Sequence, residues 1–199
     1  MKDESWLALA AVGGVPPAGS PGAAPGAPVN NRPKPFLERL LAYRLLLVLA
    51  AAVLALDQAS KFWIAARLPF GTYGPPAALT VAPGFFYLVH VGNTGAAWSI
   101  FPGRSAVLAV LAGATLVAIG IWRETLGLRQ RSIQAAFGLL CGGIAGNLLD
   151  RLVHGHVTDF VDLHFGSYVY PTFNVADSGI CVGTLLYVIL ALRHPPRGS

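Results

Sequence analysis

Charge is what this chain has least of. Only 12% of its 199 residues are Asp, Glu, Lys or Arg, while 54% are hydrophobic. A soluble domain carries about twice that charge. The shortage, together with apolar runs near twenty residues long, excludes an ordinary water-soluble fold and predicts an integral membrane protein. Cysteine is scarce too. Cys141 and Cys181 both fall inside apolar runs, without the paired spacing of a zinc site or the numbers of a disulfide framework, and read as buried thiols. Neither an H-E-x-x-H nor a G-x-S-x-G segment occurs, so the common zinc-protease and serine-hydrolase signatures are missing. A net charge of +5 suits nucleic acid in sign only. The basic residues are not clustered with aromatics as a binding face requires, and no nucleic-acid partner is expected.

What is present falls into three parts. Residues 1–35 are rich in Pro, Gly and Ala without helical or strand period and read as a disordered tail. Residues 36–194 read as a membrane domain, and 195–199 as a short C-terminal tail. Within the domain four apolar spans are expected, at about 44–64, 105–122, 133–153 and 176–192, each near the ~20 residues that cross a bilayer. The fold class expected is all-α with four transmembrane helices. Between the first two spans, residues 69–104 mix β-branched and aromatic side chains with the turn signals Pro83-Gly84 and Gly92-Asn93, which predicts a small sheet lying on the outer face. Lys and Arg set the orientation. Ten of them (Lys2, Arg32, Lys34, Arg39, Arg44, Arg123, Arg129, Arg131, Arg193, Arg197) lie on the side of the termini, against Lys61, Arg67, Arg104 and Arg151 on the other. Both termini are therefore expected in the cytoplasm.

Polar groups inside spans are costly and are candidates for function. Asp57 and Lys61, with Gln58 and Ser60 between them, are four apart on one helix face and can pair. A structural ion pair and a site role are both open for them. Gly138, Gly142 and Gly146 recur every four residues, a smooth strip for close helix approach, and Asn147, Asp150 and Arg151 follow it. Asp150 lies at the outer end of the third span, Asp177 begins the fourth at that same end, and Asp159 lies in the loop joining them. Connectivity alone thus confines three carboxylates to one interface. Two carboxylates held close cannot both ionise, and such a pair supplies one base and one acid for attack by water on a carbonyl. A metal site is the rival: were residues 154–164 a strand, His154, His156, Asp162 and His164 would share one face. A non-enzymatic proton-handling transporter is the other alternative, but it would place its acids near the midplane and often carry internal repeats.

Five segments in order, "DQASK" (57–61), "NTGAAWS" (93–99), "GGIAGNLLDR" (142–151), "VTDFVD" (157–162) and "FNVADS" (173–178), resemble the signature blocks of lipoprotein signal peptidase, the bacterial type II signal peptidase. The resemblance covers about residues 43–192, departing at Trp98, where phenylalanine is frequent, and at Thr158, where valine is frequent. It implies an aspartyl endopeptidase of the bacterial inner membrane with its active site near the outer face. Such an enzyme removes signal peptides from prolipoproteins just before a diacylglyceryl-modified cysteine, and needs neither metal nor cofactor. By this resemblance Asp159 and Asp177 are the catalytic pair. Asp57, Lys61, Asn93, Gly95, Asn147, Asp150, Arg151 and Asn174 support substrate and site, while Asp162 and the histidines are local structure. The partners implied are lipidated prolipoproteins and membrane lipids, with a single copy as the working unit.

Overall fold

The computed structural model describes residues 40–96 and 100–193; the tails expected over 1–35 and 195–199, and Trp98, lie outside them. The first helix, α1 (Arg44–Arg67), is a Leu- and Ala-rich run, residues that lose little side-chain freedom in a helix. It stops at Leu68, whose φ of −124° and ψ of 132° are extended, because Pro69 forces its predecessor out of the helical region. Two strands follow, β1 (Leu79–Ala82) and β2 (Phe86–Asn93), then α2 (Ser105–Ile121) and α3 (Arg131–His154). Helix α3 ends on Gly155, whose φ of +75° closes it in the left-handed region that glycine tolerates. Strands β3 (Val157–Phe165) and β4 (Tyr168–Phe173) lead into α4 (Val175–Arg193).

Three helices, α1, α3 and α4, are long and apolar enough to cross a membrane, whereas α2, at 17 residues, is shorter. Many of their large apolar side chains, among them Val48, Leu56, Phe62, Val110, Leu152 and Leu185, face outward, as a lipid-facing surface requires. Helix α3 is the centre, contacting α1, α2 and α4. Its glycine strip lies on α1: a Cβ at Gly142 would sit 2.6 Å from the Ala50 carbonyl oxygen and 2.7 Å from Val53 Cβ. From α4, Gly183 makes the corresponding approach, where a Cβ would meet the Ala136 oxygen at 2.6 Å. Close backbone approach is how membrane helices gain packing contact when lipid supplies no hydrophobic drive.

The sheet is larger than the small one expected between the first two spans. It has four antiparallel strands in the order β1-β2-β3-β4, so half of it comes from the connection between α3 and α4. That connection is not a loop, and it pairs Val91 with Asp159 and Asn93 with Val157. Cys181 also departs from its buried reading: it is exposed on α4, and Cys141 is intermediate. A run that is apolar all round keeps part of its surface for lipid, so apolar context did not mean burial.

Candidate active site

Asp159 is the third residue of β3 and Asp177 lies in the first turn of α4. Asn174, fully buried, joins them. It precedes α4 as its N-cap: its side-chain oxygen accepts from the Asp177 N–H at 2.9 Å, and Asp177 Oδ2 accepts the Asn174 N–H at 3.2 Å. This reciprocal pair is a capping box with aspartate in the usual glutamate position. The Asn174 amide then donates to Asp159 Oδ1 at 2.7 Å. The segment "NVAD" therefore starts the helix and links both carboxylates in one arrangement.

Each carboxylate has a second donor. Asn93, the last residue of β2, donates to Asp159 Oδ2 at 3.1 Å, and Asn147 on α3 donates to Asp177 Oδ1 at 2.7 Å. Asn147 is oriented in turn by Lys61 Nζ, 3.2 Å from its side-chain oxygen. Gly95 contributes backbone: its N–H donates to Asn93 Oδ1 at 2.9 Å and its carbonyl accepts from Arg151 Nη2 at 2.9 Å. Arg151 thus fastens the chain that carries Asn93.

Beneath the pair lies a buried ion cluster. Lys61 Nζ is 2.8 Å from Asp57 Oδ2 and 2.9 Å from Asp150 Oδ2, and all three residues are at most 5% exposed. Removing one partner of such a cluster costs about 3–5 kcal/mol, because a buried charge is left unpaired. Asp57 Oδ1 also accepts the Ala176 N–H and Asp150 Oδ2 the Thr158 N–H, each at 2.9 Å. The ion-pair reading of Asp57 and Lys61 is met, and the pair adjoins the candidate site. Gln58, grouped with them by sequence but given no role, donates to Asp57 at 3.1 Å and to Asp150 at 3.0 Å. Its neighbours in the sequence were the only signal for it.

A cavity of about 770 Å³ opens over Asp159 and Asp177, with Asn93, Asn147 and Arg151 on its polar wall and Phe173, Ile180 and Val182 on its apolar one. Burial, and next the nearby Asp177 carboxylate, push the Asp159 carboxyl up to about 7, against the Asn93 and Asn174 hydrogen bonds and the Lys61 charge. The four groups weighed as metal ligands are divided. Strand β3 begins only at Val157, so no common strand face includes His154 and His156. His156 packs against Phe70, their ring centroids 5.0 Å apart, whereas His164 Nε2 and Asp162 Oδ2 are 2.8 Å apart further along the strand.

Residues 49–193 match the family model described as "Signal peptidase (SPase) II". A lipoprotein signal peptidase of Oleidesulfovibrio alaskensis is 40% identical over 152 residues, 74% of this chain and 94% of that protein. One from Bacillus pumilus is 34% identical over 73% of this chain and 90% of its own. A solved structure described as a bacterial membrane enzyme superimposes with a TM-score of 0.68 at 29% identity, covering 77% of this chain and 91% of that one. A match that spans every element from α1 to α4, on a chain whose helices are built for a bilayer, makes this protein a member of the signal peptidase II family of membrane proteases.

Proposed function

We propose that this protein is an aspartyl endopeptidase that removes the signal peptide from diacylglyceryl-modified prolipoproteins, cutting just before the lipidated cysteine, with Asp159 and Asp177 as its catalytic pair. The observation that carries the reading is the convergence of a buried carboxylate from a strand and a half-buried one from a helix start on one cavity through a single asparagine. Asp177 accepts two hydrogen bonds at the N-terminus of α4, where the positive end of the helix dipole favours a charged carboxylate. Asp159 lacks that field and holds its proton up to about pH 7. Asp177 therefore takes a proton from water as it attacks the scissile carbonyl, and Asp159 donates to the carbonyl oxygen. Asn93 and Asn174 hold Asp159 in place, and the polar wall aligns the peptide. No step requires a metal or cofactor.

Connectivity supports four membrane crossings. The ends of α1 and α3 both lead into strands of one sheet, so the chain must return to the far side between them. Among the described residues α2 is the one helix available for that return. The sheet and the site then lie at the outer face of the bacterial inner membrane, and the substrate's acyl chains stay in the bilayer while its peptide enters the cavity. Each buried CH₂ contributes about 0.8 kcal/mol, so an unlipidated precursor binds poorly. One chain contains every group the reaction uses, and the monomer is the working unit.

The test is cleavage of a purified lipidated precursor, read as a shift in product size. Asp159→Asn and Asp177→Asn should each lower kcat by at least about a hundredfold, the scale of lost acid–base catalysis, with the protein still folded. Asp162→Asn and His164→Ala should stay active, and EDTA should have no effect. An active Asp177→Asn variant, or loss of activity to EDTA with recovery on adding zinc, would falsify the dyad.

A further inference from the structure

The two carboxylates of the buried ion cluster each hold a particular backbone N–H. Asp57 Oδ1 takes that of Ala176, the residue before Asp177, and Asp150 Oδ2 takes that of Thr158, the residue before Asp159. Each proposed catalytic aspartate is thus fastened, one residue upstream, to a different supporting carboxylate. Those two carboxylates belong to different helices, α1 and α3, and repel one another. Two groups join them: Lys61, 2.8 and 2.9 Å from the pair, and Gln58, whose Nε2 lies 3.1 Å from Asp57 Oδ2 and 3.0 Å from Asp150 Oδ1. A single ammonium between two carboxylates leaves one negative charge over. The Gln58 amide supplies the further donors, and it is placed to span both acids where a shorter side chain would reach one.

We propose that Gln58 is a positioning residue of the reaction: with Lys61 it clamps Asp57 to Asp150 and so sets the separation of Asp159 and Asp177. This rests on the dyad proposed above. It gives the cluster a task beyond packing, since a dyad shares one proton only while its two carboxyls stay close. The clamp holds the two chain segments at their backbones and leaves the side chains free to meet water and peptide. The groups facing Asp159 are Asp177 from α4, Lys61 from α1, Arg151 from α3 and the amides of Asn93 from β2 and Asn174 at the start of α4. Of these only Asp177 is a carboxylate, so widening the pair removes the one neighbouring charge that keeps the Asp159 proton on.

The experiment compares Gln58→Met, which keeps the length of the side chain and removes its donors, with the parent enzyme on a lipidated precursor. The expected result is a kcat lower by about 10- to 100-fold, the scale of a reacting group displaced by an ångström or less, with KM within about twofold. The alkaline limb of the pH profile should move to lower pH as the two carboxyls part. Combining Gln58→Met with Asp150→Asn should cost no more than Asp150→Asn alone, because both act through one connection. Should Gln58→Met fail to fold, Gln58→Glu keeps the shape. It should be active only at acid pH, where the added carboxyl is protonated and can donate. Parent-like kcat and pH limbs in the variant that folds, or an activity loss that merely tracks the folded fraction with limbs unmoved, overturns the clamp while the dyad stands. An active Asp159→Asn variant overturns both.

Discussion

Asp159 shows what a buried carboxyl costs the protein that carries it. Its proton is held up to about 7 rather than the ordinary 3.8, so the folded state binds a proton that the unfolded chain releases. Its contribution is therefore fully present below about pH 4 and is lost as pH rises to about 7. The loss has an upper bound on the order of 4 kcal/mol. Asp159→Asn removes this liability. Its thermal unfolding in detergent should match the parent near pH 4 and exceed it by several degrees at pH 8, although the proposed dyad makes the variant inactive. Equal melting temperatures at both pH values would mean that Asp159 is not held protonated. At this scale much was legible in the sequence. The i,i+4 spacing of Asp57 and Lys61 made their contact expected, whereas the capping box at Asn174 emerged only with the structure. The grips of Asp57 on Ala176 and Asp150 on Thr158 were not legible, because they join positions 119 and 8 residues apart through backbone atoms that no side-chain pattern announces.

Among the elements, the glycines separate packing from mere helix. Gly142 lies where α1 and α3 nearly touch, and a methyl there would press on Ala50 and Val53. Gly113, inside α2, has nothing within 4 Å of such a methyl. Gly142→Ala should lose about 1–3 kcal/mol to overpacking. Gly113→Ala should be neutral or gain up to about 1 kcal/mol from helix propensity. Thermal unfolding of the two variants in the same detergent checks this, and equal effects would mean that the strip does not form the contact. The strip's four-residue period made it readable in advance, as was the span of every helix to within a few residues. Strands β3 and β4 were missed for a physical reason. A strand is recognised by polar residues alternating with apolar ones, but β3 buries Asp159 and Asp162 along with Phe160, so its carboxylates point inward and spoil the alternation. The feature that hid the strand is the one that makes it part of the site.

For the whole molecule the open quantity is orientation, and charge decides it. Four-stranded pairing holds both interhelical connections in one sheet, so in the proposed four-crossing arrangement residue 75, between α1 and β1, and residue 167, in the turn between β3 and β4, share a side of the membrane, and the loop from Arg123 to Arg131 lies on the other. That arrangement assigns ten of the fourteen Lys and Arg residues to the side of that loop and the termini, and cytoplasmic loops are those enriched in Lys and Arg. With Cys141 and Cys181 replaced, single cysteines at Pro75 and Ser167 should react with a membrane-impermeant thiol reagent on intact inner-membrane vesicles of right-side-out orientation. A cysteine at Gly127 should react only after the vesicles are opened. The tail enters the same experiment. Residues 1–33 hold Lys2 and Arg32 of the ten basic residues, so deleting them leaves eight against four and should preserve orientation, insertion and cleavage. Labelling of residues 75 and 167 only from the cytoplasmic side would invert the molecule and place the cavity where translocated precursors do not arrive. A truncated chain that inserts in the same sense yet leaves a lipidated precursor uncut would give the tail a part in catalysis that its composition does not suggest.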